Sequence, residues 1–339
     1  MNRLARRLAH GALVVWAVVS IAFVINNLLP GDPARLVAGA QARPADVTRI
    51  REQLGLNRPP IVQYAQFWRR LVHIGPRAID PNRDPAHASC LVVLPLGPVA
   101  VHVDFGKSYQ MRQPVAAAIA ERLPRTLALT SAGVLVQVLF GLCTGVVAAL
   151  RRGSSLDRAL VGVSLLGISA PTFLIALSLQ YVLAYKLRCL PLDGFGQTLG
   201  EHLKCLVLPA ITLGVYGAAY YTRLVRDEMI VFMRQDWVRT ARAKGASPWR
   251  VVVYHALRNA LVLIATAVGL DFGALMGGAV VTETVFRWPG LGDLSVKATM
   301  HRDAPVLLAC VVVTSTFIVA SSIVVDAVAS RLDPRTRES

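Results

Sequence analysis

Charged side chains are scarce in this sequence. Only 17% of its residues are Asp, Glu, Lys or Arg, whereas 54% are hydrophobic. A soluble chain of 339 residues would hold two or three domains with polar surfaces, so this balance indicates a membrane protein instead. The net charge of +16 could suggest nucleic-acid binding, but the basic residues cluster in short loops between apolar runs, which argues against that class.

Motifs for hydrolytic or zinc chemistry are also missing. The sequence contains no HExxH, GxSxG or paired Cys-x-x-Cys arrangement. Gly106-Lys107-Ser108 has the ending of a phosphate-binding loop, but Val101 occupies the position that needs glycine and no strand-loop-helix pattern surrounds it. We therefore expect no ATP binding, no catalytic residue, no metal site and no cofactor on this chain.

Six apolar runs are long enough to cross about 30 Å of hydrocarbon. They are Leu8–Leu29, Thr126–Leu150, Ala159–Leu187, Leu206–Leu224, Leu261–Phe286 and Pro305–Ser330. The first resembles a secretory signal, but its apolar run is longer than a signal core and no A-x-A site directly follows it, so we interpret it as an uncleaved anchor. Pro171 is expected to kink the third run, either as a gating feature or as a proline accommodated by neighbouring helices.

The distribution of Lys and Arg predicts the orientation. With the N-terminus inside, the short cytoplasmic segments hold 17 of these residues and the short outer loops hold five. Cytoplasmic loops are enriched in Lys and Arg, so we expect both termini in the cytoplasm. Pro30–Arg125 carries 13 Lys and Arg residues. We still expect it to lie outside, because segments of that length are translocated largely regardless of charge.

Asp236–Leu261 is a polar, basic interruption between two apolar blocks. Its first residue can cap a helix that begins at Trp237, and Gly245 offers the left-handed residue that commonly ends one. Ser247 and Pro248 then supply an N-cap and a first-turn proline for a second helix. The eight residues of the first helix give a rod of about 12 Å, too short to cross a bilayer but long enough to dock in a partner's cleft.

ARAKG at 241–245, followed nine residues later by HALRN, resembles the cytoplasmic coupling loop of ABC importer permeases, specifically the dipeptide/oligopeptide permease family. Alignment on the family's fixed glycine places Arg239, Thr240 and Ala241 on its Glu-Ala-Ala triplet, so only Ala241 and Gly245 match strictly. Leu257 matches the later leucine. The alternative is an ordinary basic loop kept inside by its charge. Other stretches similar to the family are LPGDP at 29–33, LGLNRPPIVQY at 54–64, the run at 105–130, ETVFRWPGLG at 283–292 and LDPR at 332–335.

The resemblance covers nearly the whole chain and implies an all-α type I importer permease with six transmembrane helices. It also implies a second homologous permease, two cytoplasmic ATPase subunits that carry ATP and Mg²⁺, and an extracytoplasmic substrate-binding protein. The setting is the plasma (inner) membrane of a prokaryote. The residues that the resemblance assigns to contact with the ATPases are Arg239, Thr240, Ala241, Arg242, Lys244, Gly245 and Leu257.

The expected division of the chain is linear: an anchor helix over 1–29, an extracytoplasmic segment over 30–125, a five-helix core over 126–330 with the coupling loop at 226–260, and a cytoplasmic tail over 331–339. Residues 73–103 do not match the family and are interpreted as an insertion. Within the outer segment, Thr48–Leu54 and Val62–Val72 have the apolar spacing of helices, and Cys90–Val103 is apolar enough to form a short hairpin.

Three of the five cysteines fall on the predicted outer side, where disulfides persist. A Cys189–Cys205 disulfide is the preferred pairing, because these residues bracket one outer loop. Three free thiols, including Cys90, are the alternative.

Gly269, Gly273 and Gly277 recur every four residues in the fifth run, so they share one helical face that can pack closely on a partner permease or a neighbouring span. Asp271 lies near the middle of the same run and Glu283 near its outer end. Carboxylates at such depth avoid lipid. We predict both as translocation-path residues, with a buried hydrogen bond to another helix as the alternative for Asp271.

These observations predict a permease subunit of an ATP-driven ABC importer for di- or oligopeptides, and not an enzyme. Related importers of nickel, glutathione, sugar or haem are alternatives, and the lack of a His/Cys cluster in the spans disfavours nickel. A membrane-embedded enzyme would need a catalytic constellation, whereas Asp271, Glu283 and Asp326 lie at different depths without a His or Ser partner. A passive channel or a membrane-anchored interaction protein could share the topology, and co-purification with ATPase subunits would separate both from an importer.

Overall fold

The computed structural model describes residues 3–28, 31–39, 41–76, 90–96 and 99–332. Parts of three predicted features lie outside the described residues: Leu29 and Pro30 of the LPGDP stretch, residues 77–89 and 97–98 of the predicted insertion, and the tail from Asp333 onward. The chain divides into two compact units. One comprises 1–125 with 290–316, and the other comprises 126–289 with 317–339.

In chain order, the N-terminal elements are α1 (Arg3–Leu28), α2 (Pro33–Ala38), α3 (Pro44–Gln53), α4 (Pro60–Leu71), β1 (Val72–Pro76), β2 (Leu91–Leu96), β3 (Val99–Val103) and α5 (Val115–Leu150). They are followed by α6 (Ser155–Ser169), α7 (Thr172–Leu179), a π-helical segment (Gln180–Lys186), α8 (Leu199–Phe232), α9 (Asp236–Ala243), α10 (Pro248–Arg250) and a second π-helical segment (Val251–Leu257). The last are α11 (Arg258–Gly278), α12 (Val280–Val285), α13 (Leu291–Met300) and α14 (Ala304–Leu332).

The core of the first unit joins segments that are distant in sequence. Val19 of α1, Phe67 of α4 and Val115 of α5 pack in one buried cluster with Leu291 of α13 and Val306 of α14. Close packing of these side chains holds residues 290–316 in one unit with the N-terminal segment. The observed units therefore differ from the linear division expected from the sequence, in which 126–330 forms one continuous core.

The two helices predicted in the outer segment are present as α3 and α4. Both begin at a proline, Pro44 and Pro60. The fixed φ of proline suits the first helical position, and no intrahelical hydrogen bond is lost there because a backbone N–H at that position has no acceptor within the helix. The short α2 begins with Pro33 and is capped by Asp32, whose carboxylate accepts from Ala34 N at 3.0 Å.

A three-stranded antiparallel sheet lies in the predicted insertion, with the strand order β1-β3-β2. The hairpin expected within Cys90–Val103 is confirmed as β2 and β3, and β1 adds a strand on the other edge of β3. The all-α prediction holds for the helices that can cross a membrane, but the third strand of this sheet, β1, was not predicted. Alternating apolar residues over short runs form strands when a neighbouring chain segment supplies the hydrogen bonds, and local sequence does not reveal that neighbour.

Five helical segments are long and apolar enough to cross a membrane, within the part of the chain that the structure describes. They are Ala5–Leu28, Val115–Leu150, Leu199–Phe232, Pro248–Gly277 and Ala304–Val328. The third predicted span is instead a bent pair, α6 and α7, with an angle of 104° between them. Pro171 precedes α7 and cannot donate a backbone hydrogen bond, so the predicted kink is confirmed and amounts to a break in the helix.

Small residues bring α5 and α8 into close contact in the second unit. A Cβ on Gly145 would lie 2.7 Å from the carbonyl oxygen of Thr222, and one on Gly141 would overlap Tyr221. On the α8 side of the same crossing, a Cβ on Gly217 would overlap the side chain of Gln137 of α5. Close approach of two helix backbones needs residues without side chains at the crossing. This crossing places the polar side chains of Gln137 and Tyr221 inside the second unit.

Candidate functional site

The predicted coupling loop forms two short helices, as expected. The first, α9, begins one residue earlier than predicted, with Gln235 at the N-cap and no side-chain cap. Asp236 is therefore not the cap; it lies in the first turn, where its carboxylate is 3.3 Å from Arg239 Nη1. Gly245 has φ of +79°, so the left-handed residue predicted after the helix is confirmed.

The second helix of the loop runs directly into a span. Ser247 caps it by accepting from Arg250 N at 3.4 Å, and Pro248 occupies its first position, both as predicted. It then continues as the π-helical segment Val251–Leu257 and becomes α11 with no intervening turn. The sequence did not reveal the π-helical segment. π-Helical turns are rare and are frequently found at functional sites.

One face of the loop is fixed to the second unit. Val238 of α9 is fully buried, and Val252 and Ala256 of the π-helical segment belong to a buried cluster with Met229 of α8. The ring of Trp237 lies 6.4 Å from that of His255, between centroids. These contacts pack α9 and the π-helical segment closely against α8 and α11.

The other face of the loop is exposed and basic. The seven residues predicted to contact a partner are placed as follows: Arg239, Thr240, Arg242, Lys244 and Gly245 are exposed, whereas Ala241 and Leu257 are half-buried. Trp249 is 76% exposed beside them. Exposed arginines and a large exposed aromatic are typical of protein-protein contact surfaces, and a positively charged surface attracts an acidic one.

An ion pair ties α8 to the first turn of α6. Arg226 donates from Nε to Asp157 Oδ1 at 2.7 Å and from Nη2 to Asp157 Oδ2 at 3.0 Å. Asp157 also accepts from Gly153 N at 2.9 Å. Two parallel bonds between a guanidinium and a carboxylate hold both groups in one orientation. The sequence analysis did not single out this pair.

A carboxylate in α11 joins three candidate spans. Asp271 is half-buried and accepts from the side-chain amide of Gln137 in α5 and from Tyr221 Oη in α8, the latter at 3.4 Å. This matches the hydrogen-bond role that the sequence left open as the alternative, and contact with substrate stays a prediction. The sequence analysis missed Gln137 and Tyr221, although a glutamine within an apolar run is itself a signal of an interhelical bond.

Glu283 is fully buried in α12 and accepts from Thr126 Oγ1 at 2.8 Å. It does not join the polar cluster of Asp271, so the structure does not bring the two predicted path residues together. Its surroundings favour a structural role over contact with a solute, because a buried carboxylate held by the protein is shielded from a water-filled path.

The glycine face of α11 packs on α14 of the same chain. A Cβ on Gly273 would lie 3.0 Å from Ser321 Cβ, and one on Gly277 would lie 3.6 Å from Ile318 Cδ1. A Cβ on Gly269 would overlap Val325. Of the two packing partners left open by the sequence, the structure therefore selects the neighbouring span.

The preferred disulfide is not formed. Cys189 and Cys205 are both free: the first is exposed and donates from Sγ to Leu183 O at 3.1 Å, and the second is half-buried. Cys205 packs instead beside a buried cluster that includes Trp288 and Leu213. The two thiols therefore have different surroundings, which the loop length does not indicate.

Comparison with known families gives a match over most of the chain. Residues 141–338 match the family described as "Binding-protein-dependent transport system inner membrane component", and residues 1–130 match the N-terminal model of the same type of component.

Curated relatives align with almost the full length. A protein of Brucella abortus (strain 2308), provisionally named as a peptide transport system permease protein, is 37% identical over 335 residues, which is 98% of each chain. The glutathione transport system permease protein GsiC of Escherichia coli (strain K12) is 35% identical over 337 residues, which is 99% of each chain.

Among solved structures, a chain of the MetNI methionine ABC transporter in an inward-facing conformation aligns with a TM-score of 0.55 and 18% identity. The alignment covers 65% of this chain and 99% of the other. At this identity the match establishes the shared fold alone.

Proposed function

Because the chain belongs to the family of binding-protein-dependent transport system inner membrane components, we propose that it forms half of the translocation pathway of an ATP-driven importer of peptides. It is a multi-pass inner membrane protein and a permease subunit. In our proposal the N- and C-termini are cytoplasmic, so the loop around α9 faces the cytoplasm and the segment that holds the sheet lies outside.

The single observation that carries the proposal is the direct continuity of the coupling loop with α11. The exposed face of α9 is available to a partner, its buried face packs against the segment that becomes α11, and Asp271 of α11 is bonded to α5 and α8. Movement of α9 by a partner therefore reaches three candidate spans. Each conformation must contact the loop differently, since a partner without differential contact cannot shift the equilibrium.

The partners follow from this mechanism. Two cytoplasmic ATPase subunits, which carry the ATP and Mg²⁺, press on the coupling loops of this chain and of a second homologous permease. Their closure turns the cavity between the two permeases outward, and a substrate-binding protein then releases its peptide there. This chain contributes the path and the loop, and no cofactor of its own enters the cycle.

Peptides are proposed as the substrate class because of the names of the full-length relatives. The Brucella relative is named for peptide transport, and GsiC is named for glutathione, which is itself a short peptide. Glutathione is the second candidate, because GsiC is 35% identical to this chain over 99% of each chain. Competition between labelled glutathione and unlabelled dipeptides for uptake distinguishes the two.

The test replaces Gly245 with Trp in the assembled transporter. Gly245 has φ of +79°, and a Cβ at this position would have no other atom within 4 Å, so the bulky side chain points into open space where the ATPase subunit is proposed to dock. Gly153→Trp is the matched control, because Gly153 has φ of +80° and an equally open site in another loop. Both substitutions carry the same backbone strain.

We expect Gly245→Trp to abolish peptide uptake and to lower the yield of ATPase subunits that co-purify with the chain, whereas Gly153→Trp leaves both close to wild type. Retained uptake in the Gly245→Trp transporter would overturn the coupling role of the loop. Retained uptake together with a lack of any co-purifying ATPase would overturn the importer assignment itself.

A further inference from the structure

The sheet of the first unit brings together three side chains that commonly ligate metals. His73 lies on β1, His102 lies on β3, and Cys90 immediately precedes β2. One ligand atom from each of the three lies within 4.8 Å of the other two. They come from positions up to 29 residues apart, so the fold, and not a local motif, assembles the cluster.

Strand register explains why they converge. His73 is directly opposite His102 in the pairing of β1 with β3, and Val92 is opposite His102 in the pairing of β2 with β3. Directly opposed residues point to the same face of a sheet, and so do residues two apart along one strand. Cys90 lies immediately before β2, and its Sγ is within 4.8 Å of a ring nitrogen of each histidine, so the thiol is on the side of the sheet that carries both imidazoles.

The imidazole of His73 is already oriented for coordination. Its Nδ1 donates to the backbone carbonyl of Arg70 at 2.9 Å, which leaves the lone pair on Nε2. Metal-bound histidines commonly donate their other ring nitrogen to a backbone carbonyl in this way, since that bond fixes the tautomer and the ring orientation. Nε2 in turn faces Cys90 Sγ at 3.6 Å.

That separation suits a tetrahedral zinc ion. Bonds of ~2.3 Å to sulfur and ~2.0–2.1 Å to nitrogen, at a tetrahedral angle, place the two ligand atoms about 3.6 Å apart. Two imidazole nitrogens and one thiolate form a borderline-soft donor set, which suits zinc and does not suit magnesium or calcium. His102 is fully buried, so its ring is held in place by packing before any ion arrives.

We propose that His73, Cys90 and His102 bind one Zn²⁺ ion, which pins the three strands together and has three ligands among the described residues. The proposal departs from the sequence analysis, which expected no metal site, and it does not depend on the transport function. Because the ion binds the folded sheet and not the separated strands, it stabilises the pairing of β1, β2 and β3.

The experiment uses the purified full chain in detergent, carrying an affinity tag that contains no histidine. The chain is stripped with a chelator, incubated with Zn²⁺, passed over a desalting column and analysed for metal by mass spectrometry. Cys90→Ser is the test variant. Cys189→Ser is the matched control, since Cys189, like Cys90, forms no disulfide but lies outside the cluster.

We expect one equivalent of Zn²⁺ on the wild type and on Cys189→Ser, and a loss of affinity of at least roughly 10–100-fold in Cys90→Ser, since changes to supporting residues alone cost that much. Zinc that binds the wild type and Cys90→Ser equally would overturn the site. A chain that takes Ni²⁺ or Cu(I) but no Zn²⁺ would overturn the choice of metal.

Cobalt substitution separates loss of a ligand from loss of the fold. Co²⁺ bound to the wild type should give a thiolate-to-cobalt charge-transfer band that disappears in Cys90→Ser. His73→Gln should keep the band but weaken Co²⁺ binding, because the thiolate and His102 remain. Circular dichroism of both variants should match the wild type, and a cobalt complex of the wild type without the thiolate band would contradict the proposal.

Discussion

Gln137 of α5 donates its side-chain amide to the carboxylate of Asp271 in α11. Gln137 is 1% exposed and Asp271 is half-buried, and Tyr221 of α8 donates to the same carboxylate at 3.4 Å. An acidic side chain in an apolar span is costly against lipid, so its interhelical partners account for its position. These hydrogen bonds link α11, which continues from the coupling loop, to α5 and α8, which pack closely at their glycines.

Gly217 is required by the position of Gln137. A Cβ at residue 217 would overlap the Gln137 amide, so we expect Gly217→Ala to displace it from Asp271 and to destabilise the chain by roughly 1–3 kcal/mol, as overpacking commonly does. Thermal unfolding in detergent measures the change. Gly162→Ala is the matched control, because nothing lies within 4 Å of its Cβ and alanine favours the helix by roughly 0.5–1 kcal/mol. Equal melting temperatures for the two variants would contradict this packing.

Two substitutions of Asp271 distinguish a role in the translocation path from a purely structural role. Asp271→Asn keeps an oxygen that accepts from Gln137 and Tyr221, so we expect peptide uptake close to wild type. Asp271→Leu leaves both donors unsatisfied and should cost about 1–3 kcal/mol of stability. Uptake of a labelled dipeptide and thermal unfolding are measured for both variants. A stable Asp271→Asn chain that does not transport would show that the negative charge acts on the substrate.

Glu283 should matter for folding more than for transport. It is fully buried and accepts from Thr126, so Glu283→Ala removes a buried acceptor and is expected to destabilise by about 1–3 kcal/mol. Glu283→Gln keeps the acceptor and should restore most of that stability. Glu121→Ala is the surface control, because the Glu121 side chain is 59% exposed and pairs across one turn with Arg125. Normal melting of Glu283→Ala with lost uptake would instead assign it to the path.

The Arg226–Asp157 pair is expected to need arginine. Lysine cannot form two parallel bonds to one carboxylate, so Arg226→Lys should lower the melting temperature although the charge is kept. Arg49→Lys is the control, because the Arg49–Asp46 pair has a single contact of 3.5 Å and both side chains are largely exposed. If both lysine variants have the same melting temperature as the wild type, the bidentate geometry contributes nothing to stability.

Local chemistry explains which parts of the fold were predictable. Gly245, Ser247 and Pro248 ended one loop helix and began the next as expected, because left-handed φ, capping and a fixed φ act within a few residues. Pro171 broke the third span for the same kind of reason. The loop residues matched a family pattern, and the full-length comparisons confirm that family.

The sequence by itself thus determined the family, the apolar spans and the two loop helices, since each depends on residues that are close along the chain. Tertiary structure alone decided that the Gly269 face packs on α14, that Asp271 meets Gln137 and Tyr221, that Cys189 and Cys205 form no disulfide, and that His73, Cys90 and His102 converge. These outcomes depend on which distant segments bury their apolar surface together and on strand register. Neither is encoded in the spacing of nearby residues, because many pairings of helices and strands satisfy the same local pattern.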